Sequence, residues 1–320
     1  MHQTIKNSPS IFRIFLFHSL FIFLLFTSCK KSSDNTETGG ADNKAGFTLK
    51  DDTGNKISFD SHPERIISLA PNITEALFAI GADSMIAGVT DLCDYPPEAK
   101  NKTKTGSYLT PDYETIVSLN PDLIIMYADN ESQPVYQALK NLNLKIFVSN
   151  PVNTNDIIKM ITNLGKITGK ELTANETAQK LVNERQKIFE SNKGKGETCL
   201  IIVSVNPLMT AGGKTFIHEI AELSGFDNLY KDESQEYPLI SYEDVTFRNP
   251  AYIILPCDTA ETAVNEKFIQ ELTGKLNSVS AVKENRLITV DGNVIYRPGP
   301  RFLEGVKIIR DKKSNLVKEN

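Results

Sequence analysis

The sequence repeats itself at the scale of a domain. YETIVSLNPDLII at 113–125 and YEDVTFRNPAYII at 242–254 match at Tyr, Glu, Asn, Pro and both Ile, six identities in 13 positions at a constant offset of 129. Asp129 and Asp258 then follow in register. A repeat of this length confines the chain to two copies of one supersecondary plan. Each copy reads as a short helix, an Asn-Pro turn and a buried strand.

The remaining apolar runs extend that plan. RIISLA (65–70), DLIIMY (122–127), KIFVS (145–149), CLIIVSV (199–205), YIILP (252–256) and RLITV (286–290) are short and nearly continuous rather than alternating. Runs of this kind between helical patterns belong to parallel strands covered on both faces by helices. A helix opens each half. PNITEALFAIG offers Asn72 as N-cap, Glu75 three residues later and Gly81 as stop, and GKTFIHEIAELSG places Phe216, Ile217, Ile220 and Leu223 on one face before Gly225. Between the halves, Thr173 and Glu176 form a capping box for a helix over 174–191, about 27 Å long at ~1.5 Å per residue. The expected fold is α/β: two βα lobes with mainly parallel central sheets, joined by a single long α-helix.

The N-terminus is an address. Lys6 and Arg13 precede the 13-residue apolar run IFLFHSLFIFLLF, too short for the ~20 residues that span a bilayer. A basic start, a short apolar core and the small residues Thr27 and Ser28 describe an export signal. Cys29 follows at once, then a polar string, and the junction resembles the lipobox of bacterial lipoproteins, with Phe26 where that pattern usually has Leu. The expected organisation is a signal at 1–28, a flexible tether at 29–45 beginning at an acylated Cys29, an N-terminal lobe at 46–165, a linking helix at 166–194 and a C-terminal lobe at 195–320. The other cysteines are Cys93, Cys199 and Cys257. In a parallel sheet Cys199 and Cys257 stand roughly 15 Å apart at ~3.3 Å per residue, too far for a bridge.

RIISLAPNITEALFAIGADSMIAGVTDLCDYPPEAK, followed by GSYLTPDYETIVSLNPDLII, resembles the substrate-binding proteins of ABC importers, in the helical-backbone class (class III) that captures cobalamin, ferric siderophores and haem. The likeness is greatest to the cobalamin-binding branch, and the second half joins it through the NP-strand unit and RPGPR. The resemblance implies an exported monomer, lipid-anchored to the cell membrane and touching it through that anchor alone. Its role would be to hand a corrinoid to a permease and, through it, to an ATPase. A ferric siderophore or haem is the alternative cargo, and a surface receptor or adhesin without transport a remoter one. Neither catalysis nor a resident cofactor or metal is implied.

In such folds the ligand lies beyond the C-terminal ends of the strands. The resemblance places Pro71, Asn72, Ser107, Tyr108 and Tyr127 there from the first lobe. Met209, Tyr237, Asp291, Tyr296, Arg297 and Arg301 come from the second. Pro300 suits the first position of a helix running FLEGVKII, which puts Arg301 in its first turn. A cation there opposes the helix dipole unless an anion sits nearby, and the expected anion is the ligand, with pairing to Asp291 or Glu304 as the plainer reading. The resemblance also implies permease-docking glutamates on the paired loops after the duplicated strands, Glu131 and Glu261. The sequence departs from the cobalamin binders in having no tryptophan; its 10 Tyr and 16 Phe would have to supply the walls.

Other functions find little support. TAGGKTF (210–216) has Leu208 where a phosphate loop needs its first glycine. His62 and His218, the histidines outside the signal, cannot furnish a three-histidine metal site. No GxSxG or HExxH occurs. A net charge of −5 without a basic stripe disfavours nucleic acid.

Overall fold

The computed structural model describes residues 46–129, 132–192, 196–257 and 262–319. The first lobe opens with an antiparallel pair, β1 (Phe47–Lys50) and β2 (Lys56–Phe59). There follow β3 (Ile66–Ser68), α1 (Pro71–Ala79), β4 (Ile86–Val89), β5 (Thr103–Lys104), α2 (Tyr113–Ser118), β6 (Leu123–Met126), α3 (Gln133–Asn141), β7 (Ile146–Val148) and α4 (Thr154–Thr168). The strands form one parallel sheet in the order β5-β4-β3-β6-β7.

Helix α5 (Glu171–Ser191) leads into the second lobe: β8 (Glu197–Val205), β9 (Leu208–Thr210), α6 (Phe216–Leu223), β10 (Phe226–Asn228), α7 (Tyr242–Arg248), β11 (Tyr252–Cys257), α8 (Thr262–Lys275), α9 (Ser280–Lys283), β12 (Leu287–Asp291), α10 (Gly292–Ile295) and α11 (Phe302–Glu319). Its parallel order is β10-β8-β11-β12, and β9 folds back antiparallel on β8. The architecture is the expected α/β pair of lobes.

The duplicated segments adopt one geometry. The Asn of each Asn-Pro pair, Asn120 and Asn249, ends its helix with φ of 45° and 46°. Asparagine tolerates that left-handed turn better than most residues, and the following proline cannot continue a helix, so the chain is turned directly into β6 or β11.

Three helix starts differ from the sequence reading. Helix α1 begins at Pro71 with Ala70 at its cap, because proline's fixed φ suits the first helical position. Asn72 is therefore inside the helix and buried. Helix α5 begins at Glu171, three residues before the expected start, and the Thr173–Glu176 box caps nothing. Gly169, at φ 67°, ends α4 and turns the chain sharply, and α5 starts as soon as that turn is complete. The two helices cross so closely at Gly165 that a Cβ there would lie 2.3 Å from that of Ala174. Helix α11 begins at Phe302 rather than Pro300, which leaves Arg301 just before it.

One apolar cluster runs through both lobes, from Ile66 and Leu77 past Ile161 and Ala178 to Phe216 and Val306. The outer faces of the sheets have separate cores, around Ile124 and Leu139 in the first lobe and around Leu200 and Leu272 in the second. The inner halves thus share their packing. Cys93 and Cys199 are buried free thiols and Cys257 is a half-buried one. Cys199 pairs in register with Tyr252, five residues before Cys257, so the two thiols lie at opposite ends of neighbouring strands.

Candidate functional site

A cleft of about 410 Å³ opens between the lobes where strands of both sheets end. From the first lobe it is lined by Pro71 and Asn72 after β3, Thr90 and Leu92 after β4, and Tyr127 after β6. Tyr108, Pro151 and Val152 complete that wall. The second lobe contributes Phe216 and Ile217 at the start of α6, then Tyr237, Asn293, Tyr296 and Arg297. A buried Thr215 side chain caps α6 by accepting from the His218 N–H, which holds that helix end against the cleft.

Four tyrosines dominate the space, two from each lobe. Burial raises the phenol of Tyr127, helped by the charges of Asp129 and Glu236. Burial likewise raises Tyr237, beside Glu236, and raises Tyr296 strongly, beside Tyr237. Burial thus favours the neutral phenol at Tyr127, Tyr237 and Tyr296, and Tyr296 donates to the Val203 carbonyl at 3.5 Å. Lys214 and Glu236 are exposed at the rim. No His, Met or Cys is among the lining residues, and among the described residues no group of three His, Cys, Asp or Glu could hold a metal ion.

The cleft brings together Pro71, Asn72, Tyr108, Tyr127, Tyr237, Tyr296 and Arg297 of the residues expected from sequence. The other four lie elsewhere. Ser107 holds its own turn, hydrogen-bonding to the Thr110 hydroxyl (2.8 Å) and accepting from the Thr110 N–H (3.0 Å). Met209 lies in β9, paired with Ser204 of β8 and with Leu239. Asp291 caps α10 by accepting from the Asn293 N–H at 2.9 Å. Arg301 faces Glu75.

That last contact corrects the reading of the two arginines. Their counter-charges come from the other lobe, and neither is Asp291 or Glu304. Glu75, 3% exposed on α1, accepts from Arg301 Nε at 2.9 Å and Nη2 at 2.7 Å. Arg301 also stacks over the Tyr95 ring, 3.8 Å from its centroid. Arg297 donates to Asp94 at 2.7 Å, to Asn293 Oδ1 at 2.7 Å and to the Leu92 carbonyl at 3.2 Å, and lies 3.5 Å from Glu75. Asn72 donates to the Pro298 carbonyl at 3.1 Å. Sequence reasoning assigned Glu75 to a helix cap and missed it here. It also missed Leu92, Val152 and Phe216, whose only signal was their place just after a strand or at a helix start.

Cys29, Glu131 and Glu261 lie outside the described residues. Among the described residues no helix is long and apolar enough to cross a membrane.

A family model described as "Periplasmic binding protein" matches residues 66–294. An uncharacterized ABC transporter substrate-binding lipoprotein, YvrC of Bacillus subtilis, is 25% identical over 294 residues, 89% of this chain and 91% of its own. A vitamin B12-binding protein of Pectobacterium atrosepticum is 29% identical over 248 residues, 75% of this chain and 85% of its own. Among solved structures, a possible iron-binding (periplasmic solute-binding) protein of Staphylococcus epidermidis superposes with a TM-score of 0.69 at 29% identity, over 79% of this chain and 99% of that one.

Proposed function

This chain belongs to the periplasmic binding protein family, and from that premise we propose that it is the solute-binding component of an ABC importer, capturing a corrinoid such as cobalamin between its lobes and delivering it to the permease and its ATPase. The observation that carries this reading is the cleft itself: four tyrosines, two per lobe, line it beyond the ends of parallel strands. Parallel sheets bind ligands at that end, and relatives of this chain are named for binding vitamin B12.

The chemistry fits a ligand whose metal needs nothing from the protein. A corrinoid carries its cobalt within its own ring, with amide side chains and a phosphate around the edge. Phenol donors, Asn72, Asn293 and the rim Lys214 suit amide carbonyls and phosphate oxygens. A ferric ligand is the second reading, favoured by the likeness to the iron-binding protein. Haem would find neither His nor Met among the lining residues for an axial bond.

The rest of the role rests on sequence. Acylated Cys29 would anchor the protein outside the cytoplasm and keep it near its transporter. Glu131 and Glu261 would dock the two lobes on the permease. The function contains no chemical step.

Calorimetric titration of the full chain with cyanocobalamin, hemin and a ferric hydroxamate tests the reading. Saturable binding of cyanocobalamin at micromolar or tighter is expected. Absence of heat from cyanocobalamin, with a native circular dichroism spectrum, would discard the corrinoid; binding of hemin or the hydroxamate instead would establish the ferric reading.

A further inference from the structure

A second duplication precedes the first. Ile73, Glu75 and Gly81 share their spacing with Ile217, Glu219 and Gly225, at a constant offset of 144. Both glycines follow the ends of matched helices with positive φ, 72° after α1 and 83° after α6. Glu75 and Glu219 therefore occupy the same place on the first helix of each lobe.

Each of these glutamates reaches out of its own lobe. Glu75 accepts both guanidinium bonds of Arg301, which immediately precedes α11, the last helix of the second lobe. Glu219 accepts at 2.7 Å from the backbone N–H of Thr154, the first residue of α4, the last helix of the first lobe before α5. Its other carboxylate oxygen accepts from the Thr154 hydroxyl. The relation is reciprocal: the first helix of either lobe holds the start of the other lobe's closing helix. A carboxylate at a helix start also faces the positive end of the helix dipole. Arg185 of α5 joins the second contact, donating to the Thr154 hydroxyl and, at 2.8 Å, to Asn155 Oδ1.

Neither glutamate lines the cleft, yet each contact stands directly behind its wall. Glu75 meets Arg297 and shares α1 with Asn72, which holds Pro298, while Glu219 and Thr154 each stand two residues from a lining residue, Ile217 and Val152. We propose that Glu75 and Glu219 are positioning residues, a pseudo-two-fold pair of ties that set the aperture between the lobes and so the width offered to the ligand. The inference rests on the reading of this cleft as the ligand site. With one tie lost the lobes rock about the other; with both lost the aperture is held by α5, the shared apolar core and the Arg297–Asp94 and Asn72–Pro298 contacts.

The test is an inter-lobe distance in the full chain, its four native cysteines replaced, with spin labels on cysteines introduced at Leu142 and Phe247, exposed positions in the first and second lobes. A second label pair at Ser84 and Leu142 reports on the first lobe alone. The parent should give one narrow distribution for each pair. The Glu75→Gln, Glu219→Ala variant should broaden and shift the inter-lobe distance by several ångström and leave the Ser84–Leu142 distance unchanged. Release of cyanocobalamin should then quicken by about tenfold, since altered contacts act mainly on dissociation. An inter-lobe distribution identical to the parent's would overturn the proposal, and so would equal broadening of both pairs, which would make these residues general props of the fold. If Glu75→Gln does not fold, Glu219→Ala alone decides, by the same two outcomes. A parent that binds no cyanocobalamin would sink the corrinoid reading, and the distances would still decide the ties.

Discussion

Arg301 and Glu75, 226 residues apart in sequence, meet through two hydrogen bonds of 2.9 and 2.7 Å across the boundary between the lobes. The carboxylate is almost wholly buried and the guanidinium side chain is 15% exposed. Breaking such a pair on one side leaves Glu75 facing only Arg297, 3.5 Å away, a loss toward the lower end of the about 3–5 kcal/mol that a wholly unpaired buried charge costs. Arg301→Met should therefore destabilise the chain by roughly that amount, measured by urea denaturation. Glu75→Leu combined with Arg301→Met should cost clearly less than the sum of the two single changes, because neither charge is then left behind.

The neighbouring Asp94–Arg297 pair makes part of the stability depend on acid. Burial pushes the Asp94 carboxyl up, but the hydrogen bond and charge of Arg297 outweigh it and hold Asp94 below the ordinary carboxylate range. A depressed carboxylate adds stability above its unfolded value, about pH 3.9, and that contribution is lost as pH falls through the folded value. Asp94→Asn should flatten the dependence of unfolding free energy on pH below about 4 and leave its slope near neutrality unchanged. A series of urea titrations between acid and neutral pH measures this.

The tyrosine walls can be tested one at a time. Tyr237→Ala and Tyr108→Ala each remove an aromatic face from opposite sides of the cleft. Each should weaken cyanocobalamin binding by about tenfold or more, as loss of an aromatic anchor does elsewhere. Tyr237 is 43% exposed, so its variant should keep the melting temperature of the parent.

Docking and capture should separate. Replacing Glu131 and Glu261 together by alanine should impair uptake in cells and spare ligand affinity in vitro. Unchanged uptake would remove both residues from the docking surface.

The crossing of α4 and α5 leaves no room for a side chain at Gly165. Gly165→Ala would place its Cβ 2.3 Å from that of Ala174 and 3.4 Å from Glu171 Cα. Overpacking of this kind costs about 1–3 kcal/mol, which a thermal melt would register as a lower midpoint.

The sequence was most legible where one local pattern dominated. Continuous apolar runs marked β3, β6, β7, β8, β11 and β12, and the Asn-Pro pair marked the turn before β6 and β11. The strands β5, with the residues TK, and β10, with FDN, contain no apolar run to mark them. In β4 the apolar run is broken by Gly88, where a Cβ would lie 2.8 Å from Leu119 and Thr105. The cleft tyrosines could be found because strand ends converge there. The partner of Arg301 could not: Glu75 is spaced like a helix cap, and only the docking of two lobes brings it to the arginine. The same holds for Glu219, whose partner is a backbone N–H that no side-chain pattern announces.

The three thiols at Cys93, Cys199 and Cys257 remain separate, two of them sealed in the core. The folding of these lobes therefore waits on no oxidant. A cell that lacks disulfide-forming machinery, an anaerobic habitat or a reducing cytosol used for overproduction should each yield the same molecule, and added reductant should leave its melting curve where it was.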